Sequence, residues 1–226
     1  MPVFTQLPMA IQLHVEQRSL NISASTQALA KAASSRHALL HQCHRQLAIQ
    51  PLTYHSLGTI SLHEAVLQCV LNQFSEQLIF QPIEEIMYYF SYSSGAFLEP
   101  GYPPLFYSRQ NHKLVTPNKS AVAGIGEAVA GFLSQRLYRC RILSRPNHDY
   151  PDVVMDDSRR TVLVEAKATT TSLQDLKKAL DEELVRMIAY VSACLELEVR
   201  PVAGLLIGTF IENTTTYCCC VTEVIV

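Results

Sequence analysis

Three observations predict a layered α/β (α+β) fold. Of the 226 residues, 48 % are apolar and 17 % charged. Such a chain can bury a core and does not stay disordered throughout. Residues 120–226 run in the order helix, three strands, helix, two strands, an alternation that stacks helices on a sheet. Residues 1–100 read as mainly helical and hold four basic groups (Arg18, Lys31, Arg36, Arg45) against six acidic ones (Glu16, Glu64, Glu76, Glu84, Glu85, Glu99). The stretch Glu99-Pro100-Gly101-Tyr102-Pro103-Pro104 is a turn-rich connector, and it divides the chain into regions 1–100 and 101–226.

Each element has its own reason. Residues 25–47 lack Gly and Pro and are rich in Ala, Leu, Gln and His, which predicts a helix. Ser61 with Glu64 forms a capping box for a second helix to residue 80. Residues 83–92 are apolar and aromatic and fit either a helix or a strand. A polar segment, 108–120, leads into a helix at 120–138. Residues 139–143 form a short strand, and 152–156 and 161–168 two more, tightly joined. Leu173, Leu176, Leu180, Leu184, Met187, Ile188, Val191 and Leu195 form one stripe on a helix over 173–197. Its capping box is Thr171 with Gln174 or Ser172 with Asp175. Pro201 ends that helix, and 202–210 and 217–226 read as buried strands.

Composition narrows the function. The 18 Lys and Arg nearly balance the 20 Asp and Glu, for a net charge of −2, so a histone-like binder of bulk nucleic acid is not expected. No uninterrupted apolar run of about 18 residues occurs, so no membrane span is expected. The start of the chain lacks the order of a signal peptide. The cysteines are Cys43, Cys69, Cys140, Cys194 and the run Cys218-Cys219-Cys220. Their number is odd and no CxxC pair occurs, so neither a disulfide framework nor a zinc ribbon is signalled. They read as small core residues of an intracellular (cytoplasmic or nuclear) protein.

The segment from Tyr150 to Ala168 carries the chemistry. Taken as an antiparallel hairpin with Ser158 and Arg159 at its tip, it sets Asp152 opposite Glu165, Val153 opposite Val164, Val154 opposite Leu163 and Met155 opposite Val162. Opposed residues have Cβ atoms about 4.5–5.5 Å apart. Two carboxylates that close repel unless a cation or a proton lies between them. Lys167 follows on the face of Glu165, about 6.7 Å along the strand. Val153, Met155, Val162, Val164 and Ala166 make the other face, which is core. Oxygen ligands of this kind suit Mg²⁺, which accepts one or two carboxylates with waters and substrate phosphate oxygens. A lysine beside such a cation can hold or deprotonate an attacking water.

Pro151-Asp152, followed after twelve residues by Glu165-Ala166-Lys167, resembles the PD-(D/E)XK nuclease superfamily, the restriction-endonuclease-like fold. The resemblance covers residues 120–226, whose order of elements follows the family's helix, three strands, helix and further strand. It implies a core over 101–226 with a mixed central sheet flanked by helices. A mainly helical region, 1–100, would precede it and serve recognition, dimerisation or partner binding. It also implies a metal-dependent phosphodiesterase: an endonuclease acting on DNA in restriction, defence or repair, with RNA left open. Mg²⁺ would be the cofactor and Mn²⁺ a substitute. Asp152 and Glu165 would be metal ligands, with the Ala166 carbonyl as a third. Lys167 would position or activate the water. Glu127 is the match for the acid that the family often adds from the preceding helix. It lies opposite the stripe Val122, Ile125, Val129, Phe132, Leu133. Gly124, Gly126 and Gly131 on the same helix call for close approach of a strand or a phosphate backbone. The downstream Gln-x-x-x-Tyr signature of the RecB-like branch is missing, since Lys178 follows Gln174 at that spacing. The alternative is a non-catalytic nuclease-like subunit used for nucleic-acid binding or assembly of a larger complex. The neutral charge favours that alternative, and the acid–acid–lysine set favours catalysis.

Weaker signals remain. His37, His41 and His44 beside Cys43 have a spacing that can ligate a metal, but read better as a polar helix face. The aromatic residues Tyr88, Tyr89, Phe90, Tyr92, Phe97, Tyr102, Phe106 and Tyr107 fit packing between the regions. Arg136, Arg139, Arg141, Arg145, Arg159 and Arg160 flank the hairpin in sequence and could meet phosphates.

Overall fold

The computed structural model describes residues 10–33, 37–48, 53–74, 82–93, 118–146, 150–197 and 200–226. In chain order its elements are β1 (Ala10–Asn21), α1 (Ala24–Ala33), α2 (His37–Ala48), β2 (His55–His63), α3 (Glu64–Phe74) and α4 (Pro82–Ser93). Then follow α5 (Lys119–Tyr138), β3 (Arg141–Ser144), β4 (Val153–Asp156), β5 (Thr161–Thr169), α6 (Leu173–Leu197), β6 (Val202–Ile211) and β7 (Thr216–Ile225). The strands form one mixed sheet in the order β2-β1-β7-β6-β5-β4-β3. Pairing is parallel between β5 and β6 and between β1 and β7, and antiparallel elsewhere. The parallel β5–β6 step needs a crossover, and α6 supplies it.

The expected α/β class holds, and the elements after residue 118 match their predicted bounds to within two residues. Region 1–100 differs in one respect: most of its described residues are helical, but it also contributes two strands that the sequence reading does not expect. β1 pairs with β7 and β2 pairs with β1, so both strands extend the same sheet. The helix expected over 61–80 begins at Glu64, because residues up to His63 pair with β1. The helix expected over 25–47 is described as α1 and α2. Residues 83–92 are helical, within α4. The boundary at 100/101, the connector, and Phe97, Tyr102, Phe106 and Tyr107 of the aromatic group lie outside the described residues.

Two cores sandwich the sheet. On one face α5 packs on Val153, Met155, Val162 and Val164, with Leu205, Ile207, Val221 and the β1 residues Ile11, Leu13 and Val15. On the other, α6 packs on Leu163, Leu206, Cys220 and Val224, with α1 and α2 outside it. Strand alternation sends the neighbours Cys219 and Cys220 to opposite cores. Gly126 permits α5 to lie close on β5: a Cβ there would meet the Ala168 Cβ at 2.6 Å. Gly208 does the same for α6, where a Cβ would fall 2.8 Å from Leu180 Cδ1. Among the described residues no helix is long and apolar enough to cross a membrane.

Candidate active site

The β4–β5 ladder has the register that the apolar alternation predicts: Val153 pairs with Val164, Val154 with Leu163 and Met155 with Val162. The ladder ends at Val153, and one residue earlier side chains take over from main chain. Asp152 Oδ2 accepts from Ala166 N–H at 2.7 Å, and Glu165 Oε2 accepts from Asp152 N–H at 3.3 Å. The two acids are thus interlocked across the mouth of the hairpin.

Glu165 and Lys167 turn to the α6 face of β5. Lys167 Nζ lies 2.6 Å from Glu165 Oε1 and 3.3 Å from Glu183 Oε1 of α6. Glu165 is 2 % exposed. Burial raises its carboxyl to about 7, the Lys167 ammonium working against that rise and the Asp152 charge adding to it. Burial also works against the Lys167 charge, but Glu165 and Glu183 outweigh it and push Lys167 above its usual value. Lys167 is therefore a fixed cation at neutral pH. The Tyr150 ring packs under Arg186, 4.3 Å from its guanidinium carbon. The buried Tyr150 hydroxyl has no hydrogen-bond partner among the described residues. Burial, then the Glu165 and Glu183 carboxylates, hold it well above its ordinary value.

A cavity of about 510 Å³ opens between the start of α5 and the end of β5. Glu127, Asp152, Ala166 and Lys167 border it, together with Lys119 and the run Thr169-Thr170-Thr171. Glu127 is ion-paired to Arg145 at 2.6 Å. So Glu127, Asp152 and Lys167 share one cavity, while Glu165 lies buried behind it, tied to both Asp152 and Lys167. Close packing of Gly126 on Ala168 is what brings the α5 face bearing Glu127 against β5.

Several residues here escaped sequence reasoning. Glu183 sits three residues after Leu180 and one before Leu184, at the rim of the α6 stripe; an acid at the rim of a core stripe was the available signal. Lys119, Thr169 and Thr170 carry no pattern of their own, Tyr150 enters only as the start of the hairpin segment, and Thr171 only as a cap candidate for α6. Of the flanking arginines only Arg145 reaches the site. Arg141 pairs with Asp156, and Arg160 with Asp157 and Glu223, at the opposite end of β5. On α2, Cys43 is buried in the α6-side core while His41 and Arg45 are exposed, which suits a polar helix face; the His37 side chain lies outside the described residues.

Among the described residues no group of three or more His, Cys, Asp or Glu is gathered to hold a metal ion. Two carboxylates and the Ala166 carbonyl fall below that count. They are nonetheless the kind and number of donors that Mg²⁺ takes when waters and phosphate oxygens complete its shell. Three of the four carboxylate oxygens are engaged within the fold, which leaves Asp152 Oδ1. A buried acid held near neutral against a second acid is also a place where added positive charge is welcome. The donor set fits a hard divalent cation. No family model, curated protein or solved structure matches this chain.

Proposed function

We propose that this protein is a Mg²⁺-dependent endonuclease of the PD-(D/E)XK type, hydrolysing phosphodiester bonds of DNA on a restriction-endonuclease-like core. The observation that supports it best is the interlocked pair Asp152 and Glu165, with Lys167 on the same strand and Glu127 across the shared cavity. Asp152 and Glu165 would hold the cation, with the Ala166 carbonyl. The chemistry a bound cation supplies is polarisation of the phosphodiester oxygens and neutralisation of charge that builds on them. Lys167, held protonated between Glu165 and Glu183, orients the attacking water and stabilises negative charge; it is not the group that removes the proton. Glu127 assists from the cavity wall, steadied by Arg145. Lys119 and the Thr169–Thr171 run offer donors to phosphate oxygens on the same wall. Region 1–100 adds β1 and β2 to the sheet, and its helices remain available for recognition, dimerisation or a partner protein.

The test is cleavage of supercoiled plasmid by purified protein with Mg²⁺ or Mn²⁺, with Asp152→Ala as control and an RNA of matched length as a second substrate. Metal-dependent nicking that Asp152→Ala abolishes supports the proposal. No cleavage of either nucleic acid with either metal overturns it.

A second reading has one observation in its favour. The Lys167 ammonium already neutralises Glu165, as a structural ion pair does in a fold kept for binding or assembly. Under that reading neither metal changes the melting temperature.

A further inference from the structure

We infer that the arginines gathered at the start of β5 form a docking surface for the phosphate backbone of duplex DNA, which sets how far a substrate must extend to one side of the candidate site. This rests on the nuclease reading and adds a second contact region to it. Arg136 and Arg139 close α5, Arg141 opens β3, Arg159 and Arg160 turn the β4–β5 hairpin, and Arg200 precedes β6. Pairings between these segments hold them at one end of the sheet. Arg141 is opposite Asp156 in the β3–β4 register. Both Arg141 and Arg200 reach the buried Asp156 carboxylate, at 2.9 and 2.8 Å. Thr161 N–H donates to the Pro201 carbonyl, which joins the start of β5 to the start of β6.

Among the described residues, these six arginines make ion pairs with three acids, Asp156, Asp157 and Glu223, through Arg141, Arg200 and Arg160, while Glu196 at the end of α6 is paired with Lys31. Arg136, Arg139 and Arg159 are exposed and make no ion pair among the described residues. An excess of positive charge therefore gathers here in a chain whose net charge is −2. Arg139 has a φ of 57°, at the left-handed position that closes α5. That position favours glycine. The Arg139 side chain is exposed at that position.

The patch connects to the site along an edge. All four residues of the edge strand β3 are exposed, and the strand leads from Arg141 to Arg145, the partner of Glu127. Along β5, Thr161 and Lys167 are six residues apart, or about 20 Å at roughly 3.3 Å per residue. A duplex covers that span in about six base pairs at roughly 3.4 Å each. Separate guanidinium groups spread over such a surface suit a row of phosphates, which fix the position of a duplex without reading its sequence.

The test compares the full-length wild type with the triple variant Arg136→Glu/Arg139→Glu/Arg159→Glu. None of these three holds a buried acid, and the corresponding triple alanine variant serves if the glutamates perturb folding. Binding of labelled duplexes of 6 to 24 base pairs is measured in chelator over a range of KCl concentrations. The expected result is that wild-type affinity rises once a duplex can span about six base pairs beyond the site. The triple variants lose that rise and bind the longest duplex at least tenfold more weakly. Their log–log salt slope falls by about 2–3, near 0.9 per lost phosphate contact. Equal binding by wild type and both triple variants overturns the docking surface, even if the wild type cleaves plasmid. Poly-glutamate bound as tightly as duplex overturns it in favour of an acidic protein partner. Length-dependent duplex binding that the triple variants lose, without any cleavage, upholds the surface and counts against the nuclease reading alone.

Discussion

Lys167 Nζ lies 2.6 Å from Glu165 Oε1, two residues back along the same side of β5, and the pair is buried at its acidic end. The ion pair does not fully offset the desolvation of Glu165, whose carboxyl stands at about 7 instead of 4.5. A carboxyl raised on folding favours the folded state while protonated. That contribution is complete below about 4.5 and is lost as pH rises through about 7. Glu165→Gln removes the charge and the pH dependence with it. In chelator at pH 8 the variant should be more stable than wild type by about 1–3 kcal/mol, near 2–4 °C per kcal/mol for a chain of this size. At pH 4 the two should melt together. A variant that melts lower at pH 8 would show that the attraction to Lys167 outweighs burial.

Lys167→Met leaves Glu165 buried without its cation. It should abolish cleavage while leaving Mn²⁺ binding, read by calorimetry, within a few-fold of wild type, because the ammonium is no ligand. It should also cost about 1–3 kcal/mol at pH 8, below the roughly 3–5 kcal/mol of a fully buried pair because the Lys167 side chain is 32 % exposed. Near pH 5 the loss should shrink, since Glu165 then takes up a proton. Equal losses at both pH values would place the role of Lys167 in packing.

Gly126→Ala sets two opposing effects against each other. Alanine in place of a helical glycine gains about 1 kcal/mol, but the new methyl falls 2.6 Å from the Ala168 Cβ, and overpacking costs about 1–3 kcal/mol. The net should be a loss of stability, with a larger loss of cleavage as α5 lifts Glu127 from the cavity. The double variant Gly126→Ala/Ala168→Gly should recover both, which thermal melts and plasmid nicking would show together.

Legibility in the sequence followed the range of the interactions. The hairpin was readable because Val153, Met155, Val162 and Val164 alternate over a few residues and a one-residue slip would expose all four. α6 was readable because its stripe is long and strictly periodic. β1 was missed although Ile11, Leu13 and Val15 alternate, because polar residues Glu16–Ser19 break the pattern and the partner that satisfies the strand from Gln12 onward is β7, 204 positions away. β2 was missed because an exposed edge strand such as His-Ser-Leu-Gly-Thr-Ile-Ser-Leu-His needs no apolar alternation. Ser61 and Glu64 read as a capping box, but pairing with β1 holds Ser61 in the strand. At the site the pattern of acids and lysine was visible. The burial of Glu165 was not, because it comes from α6 packing across a face that a two-stranded view leaves open to solvent.

Asp156 offers a test at the other end of β5. Hydrogen bonds from Arg200 and Arg141, with Ser158 N–H, hold its carboxyl below the ordinary 3.8 against its own burial. A depressed carboxyl stabilises the fold above its unfolded value, and that contribution is lost as pH falls through the folded one. Asp156→Asn should melt several degrees below wild type at pH 7. The gap should close as pH drops below 3.8, which melts on a pH series would reveal. A gap that persists at pH 2.5 would mean that shape, and not charge, secures the turn.

The parallel seat of β1 beside β7 has a consequence for synthesis. Arg18 Nε donates to Thr222 Oγ1 across 204 positions of chain. At about 5–20 residues per second, a ribosome needs roughly 10–40 s to make that stretch. Through all of it β1 has only β2 to pair with, and the edge meant for β7 lies open beside Ile11, Leu13 and Val15. The nascent protein thus carries an adhesive strand that its own later segment must cover. A truncation before residue 216 should aggregate as it is made, and β7 supplied in trans as a peptide should rescue it.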